Sequence, residues 1–216
     1  MRVSGGNPIS IAEFFNQAAN TLPSPYYRFD GDGDYVEMAD DANLDVGTGD
    51  FSIHLKFRPL DLASAEQYLI NKEAGGIGWG LELKEDDLWI RLDDGTVDGS
   101  AIISASAFSD NTEVDVFVTF DRDGNALAYV NGLLSGVAVD ISTAALTLDN
   151  AGVMRVATES GGTTYEFEGQ FVLVELFNLN LTAAEVSAYA NGSTPFKYWK
   201  ANQTENLSEG AFATHA

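Results

Sequence analysis

The sequence predicts an all-β fold, an antiparallel two-sheet sandwich with a short helix at either end. Three observations predict it. Between residues 26 and 177 apolar and polar residues alternate with period two, the spacing that gives a strand one buried and one wet face. Asp94-Gly95, Asp123-Gly124 and Asn131-Gly132 separate the runs, and Asx-Gly steps supply the positive φ that tight hairpins require. The composition leans the same way, with 21 Gly, 13 Phe, 8 Tyr and 3 Trp in 216 residues, residues that suit turns and pleated, half-buried surfaces. A chain of this length fits one sandwich domain.

The elements follow in order. Ser10 and Glu13 form a capping box, with Ile9 and Phe14 at the spacing of a hydrophobic staple, so a helix is predicted to begin there. Ile11, Phe14, Phe15, Ala18 and Leu22 make one apolar stripe at helical spacing, and Pro23 and Pro25 end it. Phe51, Ile53, Leu55 and Phe57 alternate with Ser52, His54, Lys56 and Arg58, a strand with one wet face. Further strands are predicted at 67–71, 79–84, 88–92, 114–120, 126–130, 153–158 and 171–177. A last helix starts at Thr182, capped by Glu185, stapled by Leu181 and Val186, and stopped at Asn191-Gly192. Residues 1–25 are thus expected to be a helical arm and 26–192 the sandwich. Residues 193–216 are expected to be an aromatic, basic segment followed by a loose polar tail. No internal repeat is present.

Composition also removes whole classes of function. There are 33 acids against 11 bases, a formal net charge of −22, and that field repels a phosphate backbone, so no nucleic-acid partner is expected. The chain has no cysteine, which excludes disulfides, zinc–thiolate sites and thiol nucleophiles. No apolar run approaches the roughly 20 residues that cross a bilayer, so no membrane insertion is expected. Residues 1–8 carry no apolar core of an export signal.

Three stretches together carry a family resemblance. The first is Phe29-Asp30-Gly31, Asp34-Tyr35-Val36-Glu37-Met38, Leu44 and Gly49-Asp50-Phe51-Ser52-Ile53. The second runs from Val118-Thr119-Phe120-Asp121 to Ala128-Tyr129-Val130-Asn131-Gly132. The third runs from Phe167-Glu168-Gly169 through Leu176-Phe177-Asn178 to Leu181-Thr182-Ala183-Ala184-Glu185-Val186. In this order and spacing they resemble the opening, central hairpin and closing strand plus helix of laminin-G-like domains of the concanavalin A-like lectin/glucanase type, over residues 26–192. The resemblance implies a jelly roll of two curved antiparallel sheets. It leaves function open, since one fold hosts many.

Catalysis is not expected. Glycan-cleaving relatives of this fold align three acids on one strand. Here Glu113-x-Asp115 is followed by Phe117 and Glu166-x-Glu168 by Gln170, so both lack the third. His54 and His215 are the only histidines, and no nucleophile–base set emerges. Gly76-x-Gly78-x-Gly80 lacks the spacing of a nucleotide loop. Calcium is the one cofactor the sequence suggests, at Asp30, Asp32 and Asp34, whose alternate carboxylates can turn toward one hard cation. Tyr35 stands where the sharp-turn Gly of an EF-hand belongs. Laminin-G-like domains that bind calcium typically carry an acid shortly after the glycine that matches Gly169, and here Phe171-Val172-Leu173 follows. Asp121, Asp123 and Asn125 are accounted for by turn chemistry. A sugar needs an exposed aromatic beside polar groups; Trp79, Trp89 and Tyr68 are available, each also fitting a strand core.

Two functional expectations stand. In the first the chain is a non-enzymatic structural or interaction protein of a larger assembly, with a virus or phage particle surface as its setting, as capsid decoration or fibre. Its docking residues would be Ile11, Phe14, Phe15 and Leu22 on the arm and Phe196, Tyr198 and Trp199 on the tail, binding protein partners or further copies in a homo-oligomer. In the second it is a secreted, extracellular, calcium-dependent carbohydrate-binding or adhesion module with a glycan partner.

Overall fold

A computed structural model describes residues 27–63, 66–162, 164–191 and 214–215. Its strands are β1 (Tyr27–Asp30), β2 (Val36–Met38), β3 (Phe51–Pro59), β4 (Gln67–Ala74), β5 (Ile77–Lys84), β6 (Asp87–Asp94) and β7 (Asp98–Ser104). After them come β8 (Val114–Phe120), β9 (Asn125–Val130), β10 (Leu133–Asp140), β11 (Met154–Val156), β12 (Glu168–Phe177) and β13 (Thr214–His215), with one helix, α1 (Ala183–Ala190), before β13. One sheet runs β1-β12-β3-β8-β9-β10, with β13 beside β12; the other runs β2-β11-β4-β5-β6-β7. All pairings are antiparallel except β12 with β13, which is parallel. The first and last long strands are neighbours, and each sheet draws strands from both halves of the chain, as a jelly roll does.

Alternation decides what lies between the sheets. Phe51, Ile53, Leu55 and Phe57 of β3 meet Trp79, Leu81 and Leu83 of β5 in one core, together with Phe120, Phe167 and Phe171. Phe51 stacks on Phe120 at 4.1 Å, and Phe167 lies 5.0 Å from Phe171. Each such ring contributes about 1.5–3 kcal/mol by leaving water. A bulge between Tyr68 and Ile70 in β4 sends both Leu69 and Ile70 inward and Tyr68 outward. Re-aiming a side chain is what a bulge does.

The opposite face of the β12-β3-β8-β9 region is also dry. Phe117, Tyr129 and Phe177 form a second, smaller core with Leu181 and Val186, which sit on and before α1. The helix starts as expected: the Thr182 hydroxyl accepts the Glu185 N–H at 3.4 Å, and Glu185 Oε2 accepts the Thr182 N–H at 2.7 Å. It ends where expected, with Asn191 as C-cap (φ −87°) and its side-chain amide donating to Ser187 O at 2.7 Å; Gly192 lies outside the described residues.

Three expectations need correction. β7 and β10 are strands that the alternation did not reveal. Asn131 and Gly132 adopt positive φ, but Asp123 and Gly124 do not; Gly124 closes its turn with an N–H bond to Asp121 O at 3.0 Å. Thr214 and His215, expected in a loose tail, pair with Leu176 and Phe177. The arm helix at 9–22 lies outside the described residues.

Candidate functional site

The outer face of the β2–β7 sheet is a polar grid. Register places Glu37, Arg155, Asn71, Gly80, Arg91 and Ser100 in one row across six strands. A second row is Tyr68, Glu82, Trp89 and Ile102. The charges on this face are paired: Arg91 Nε with Glu73 at 2.9 Å, Lys84 Nζ with Glu82 at 3.0 Å, and Arg155 Nη2 with Glu37 at 2.9 Å. Lys84 also lies 4.5 Å over the Trp89 ring. Burial, and after it the Glu82 carboxylate, hold the Tyr68 phenol protonated well above its usual range.

Arg155, mostly buried, lies beneath one of the exposed aromatic residues of this face. Its guanidinium sits 5.4 Å from the Tyr35 ring, and Gly162 approaches so closely that a Cβ there would lie 3.3 Å from Arg155 Cζ. Arg155 Nε and Nη1 are buried with no hydrogen-bond partner among the described residues, and so is Oδ1 of its cross-strand neighbour Asn71. Tyr35 is 41% exposed and Tyr165 50%, and they are the only exposed aromatic residues among those described. Tyr165 stands on the same side, its ring 6.1 Å from Tyr68 and its carbonyl accepting the Tyr68 N–H at 2.8 Å.

The segment that carries Tyr165 is held in uncommon backbone conformations. Ala157 (φ 73°) and Tyr165 (φ 54°) are both left-handed, which is rare for a bulky side chain. The segment is fixed by Phe167 N–H to Ala157 O at 2.9 Å and by the Thr158 hydroxyl to Thr164 O at 3.1 Å. Such conformations persist where the surroundings impose them, and they cluster at ligand sites. Two exposed phenols on one face can stack on an apolar ring face and hydrogen-bond its hydroxyls.

The residues singled out from sequence are distributed differently. Of the three aromatics considered for sugar, Trp79 is in the core, Tyr68 is buried, and Trp89 is only half-buried and overlain by Lys84. Tyr35, Arg155 and Tyr165 were not among the candidates. Asp30, Asp32 and Asp34 lie in and after β1, where Asp30 Oδ1 accepts the Asp32 N–H at 3.0 Å and Glu166 accepts the Gly33 N–H at 2.9 Å. No group of three or more acidic or histidine side chains among the described residues is arranged to hold a metal ion. Glu113 faces Lys56 at 3.1 Å. Asp115 bonds His54 Nε2 at 3.1 Å, while Glu175 bonds His54 Nδ1 at 2.9 Å. His54 itself is buried and stacked on Phe117 at 3.7 Å. Ile11, Phe14, Phe15, Leu22, Phe196, Tyr198 and Trp199 lie outside the described residues.

Comparison with known proteins agrees with this architecture. The structure is similar to the binding domain of botulinum neurotoxin serotype D, with a TM-score of 0.62 and 16% identity, covering 80% of this chain and 43% of that one. A second structure of that toxin's ligand-binding domain, in complex with N-acetylneuraminic acid, gives 0.59 and 17%, covering 77% and 42%. A heptameric SAP-like pentraxin from Limulus polyphemus gives 0.57 and 12%, covering 76% and 81%. The chain spans less than half the length of the toxin domains it matches. Among curated protein sequences none matches. Residues 30–187 match the family described as the concanavalin A-like lectin/glucanases superfamily, and the chain belongs to that family.

Proposed function

We propose that this domain is a non-catalytic, lectin-like binding module that holds a glycan on the outer face of the β2–β7 sheet, between Tyr35 and Tyr165. The observation that carries the reading is that the two exposed aromatics among the described residues both lie against this face, Tyr35 beside a guanidinium with unpartnered N–H groups and Tyr165 beside Tyr68. The carboxylates around the guanidinium, Glu37 foremost, favour an uncharged glycan over an acidic one. A similar toxin domain was solved with N-acetylneuraminic acid, which supports sugar recognition on this fold and leaves the sugar for this chain to be found. The engagement of Glu113 and Asp115 with basic groups on the other sheet supports a non-catalytic role.

A glycan array followed by titration calorimetry tests the proposal. Tyr35→Ala with Tyr165→Ala should weaken binding by at least about tenfold, the equivalent of 1.4 kcal/mol, with an unchanged melting temperature. Binding unaffected by the pair, or no glycan bound at all, overturns it. The setting we propose is the surface of a virus or phage particle, supported by the aromatic and apolar residues of the two flanks. Mass spectrometry of purified particles that encode the chain tests this, and absence of the protein from them points instead to a secreted module.

A further inference from the structure

We infer that the side of the sandwich where β7 and β10 meet is a self-association surface, and that its occupant is a second copy of this chain. β7 ends one sheet and β10 ends the other. The two edges touch: the Ser104 and Ser135 hydroxyls are 2.6 Å apart, and Gly136 (φ 76°) lies so close to β7 that a Cβ would overlap the Ile103 carbonyl. Leu133, Leu134 and Val137 of β10 are 74%, 64% and 67% exposed, and Ile102 of β7 is 38% exposed. These four are the majority of the seven large hydrophobic residues that are exposed among those described. Scattered singly they would need no explanation; three of them lie within a five-residue stretch of β10, and Ile102 lies on the outer face of the strand that β10 touches.

Charge selects the occupant. Residues 99–109 and 124–139 contain no charged side chain, in a chain where one residue in five is charged and the net charge is −22. Elsewhere two copies would bring carboxylate against carboxylate; along this side they can meet without doing so. The edge also lacks the lysines, prolines and inward charges with which sheet proteins ordinarily block edge pairing. One apolar row continues into it from the dry face under α1: His54, Phe117, Tyr129 and Leu134 are successive cross-strand neighbours. The helix side covers the row as far as Tyr129, and Leu134 is left open. Two copies related by a two-fold axis would bury this row in an isologous contact.

The absence of cysteine supplies a direct test in the full chain. Val137→Cys carries one thiol on the patch; Leu146→Cys carries one at a similarly exposed apolar position away from it. Under mild oxidation Val137→Cys should form a disulfide-linked dimer much faster than Leu146→Cys. Sedimentation of the unmodified protein should show a monomer–dimer equilibrium that strengthens with salt, because screening weakens the repulsion between acidic copies while the apolar contact persists. Leu134→Lys should raise the dimer dissociation constant about tenfold or more, since it buries an unpaired charge, with an unchanged melting temperature. Equal cross-linking rates, or a monomer at every concentration and salt level, overturn the inference.

Discussion

Replacing Lys72 by methionine preserves the length and the apolar stem of the side chain and removes only its charge. Lys72 is 1% exposed, and its ammonium lies 3.0 Å from Asp40, 3.1 Å from Asp45 and 2.7 Å from the Asn150 carbonyl. It therefore ties β4 to two loops that close one end of the sandwich, the one after β2 and the one before β11. Removing one partner of a buried ion pair costs about 3–5 kcal/mol because the other charge is left uncompensated. Asp40 and Asp45 are partly exposed and can regain water, which places the loss near the lower figure, about 3 kcal/mol. For a domain of this size that corresponds to a fall of about 6–12 °C in melting temperature, readable by circular dichroism. Combining Lys72→Met with Asp40→Asn and Asp45→Asn should recover part of the loss. A single variant that melts within about 2 °C of the parent would refute the reasoning, for the ammonium would then be doing nothing the loops need.

His54 gives the pH dependence. Burial opposes its charge, but the bonds to Asp115 on β8 and Glu175 on β12 outweigh burial and raise its pKa above 6.5; the Tyr189 ring of α1 lies edge-on against it. A raised folded value means the contribution is complete below about pH 6.5 and is lost as pH rises through the folded pKa, so melting temperature should fall from neutral to alkaline pH, and His54→Gln should flatten that slope. Arg122→Met should lower the melting temperature by several degrees, since the buried guanidinium donates to the Gly47, Ala144 and Leu146 carbonyls and would leave them unpaired; an unchanged melting curve contradicts this. If Asp30, Asp32 and Asp34 bind calcium, the melting temperature should rise in calcium over chelator and Asp32→Asn should remove the rise; equal melting temperatures in the two would overturn the calcium expectation. No sugar should be released from β-glucans; release lost on changing Glu113 or Glu166 to Gln would contradict the non-catalytic reading.

Particular residues show why some of this could be read from sequence and some could not. β3 announced itself because His54, Lys56 and Arg58 alternate with core residues and print period two on the sequence, although Ser52 and His54, expected on a wet face, are buried at the second core. β7 and β10 print no such pattern. Leu133–Val139 is apolar or small on both faces, and so is most of Gly99–Ser104, so the alternation that reveals a strand vanishes along the uncharged side. The bulge at Tyr68 reversed the facing of one aromatic, and nothing in Gln67-Tyr68-Leu69-Ile70 marks it. Tyr35 and Tyr165 are brought to one face only by the return of the chain from β11 to β12, through left-handed Ala157 and Tyr165, positions where composition would place glycine or asparagine. Their role is a product of topology.

The placement of the bases explains how so acidic a chain can still choose its partners. Lys56, Arg58, Lys72, Lys84, Arg91 and Arg155 each lie within 4.0 Å of a carboxylate of the same chain. Among the described residues most of the positive charge is thus engaged internally, as staples between strands and loops. An uncharged, hydroxyl-rich ligand is indifferent to the chain's net charge and can use the two exposed phenol rings, Tyr35 beside Arg155 and Tyr165 beside Tyr68. Among the described residues, a second copy meets no carboxylate along residues 99–109 and 124–139, on the side formed by β7 and β10. The same excess of acid that excludes most partners therefore sharpens the difference between the two surfaces that remain. Added salt should separate them experimentally, strengthening contact between copies while leaving the affinity for a neutral glycan unchanged.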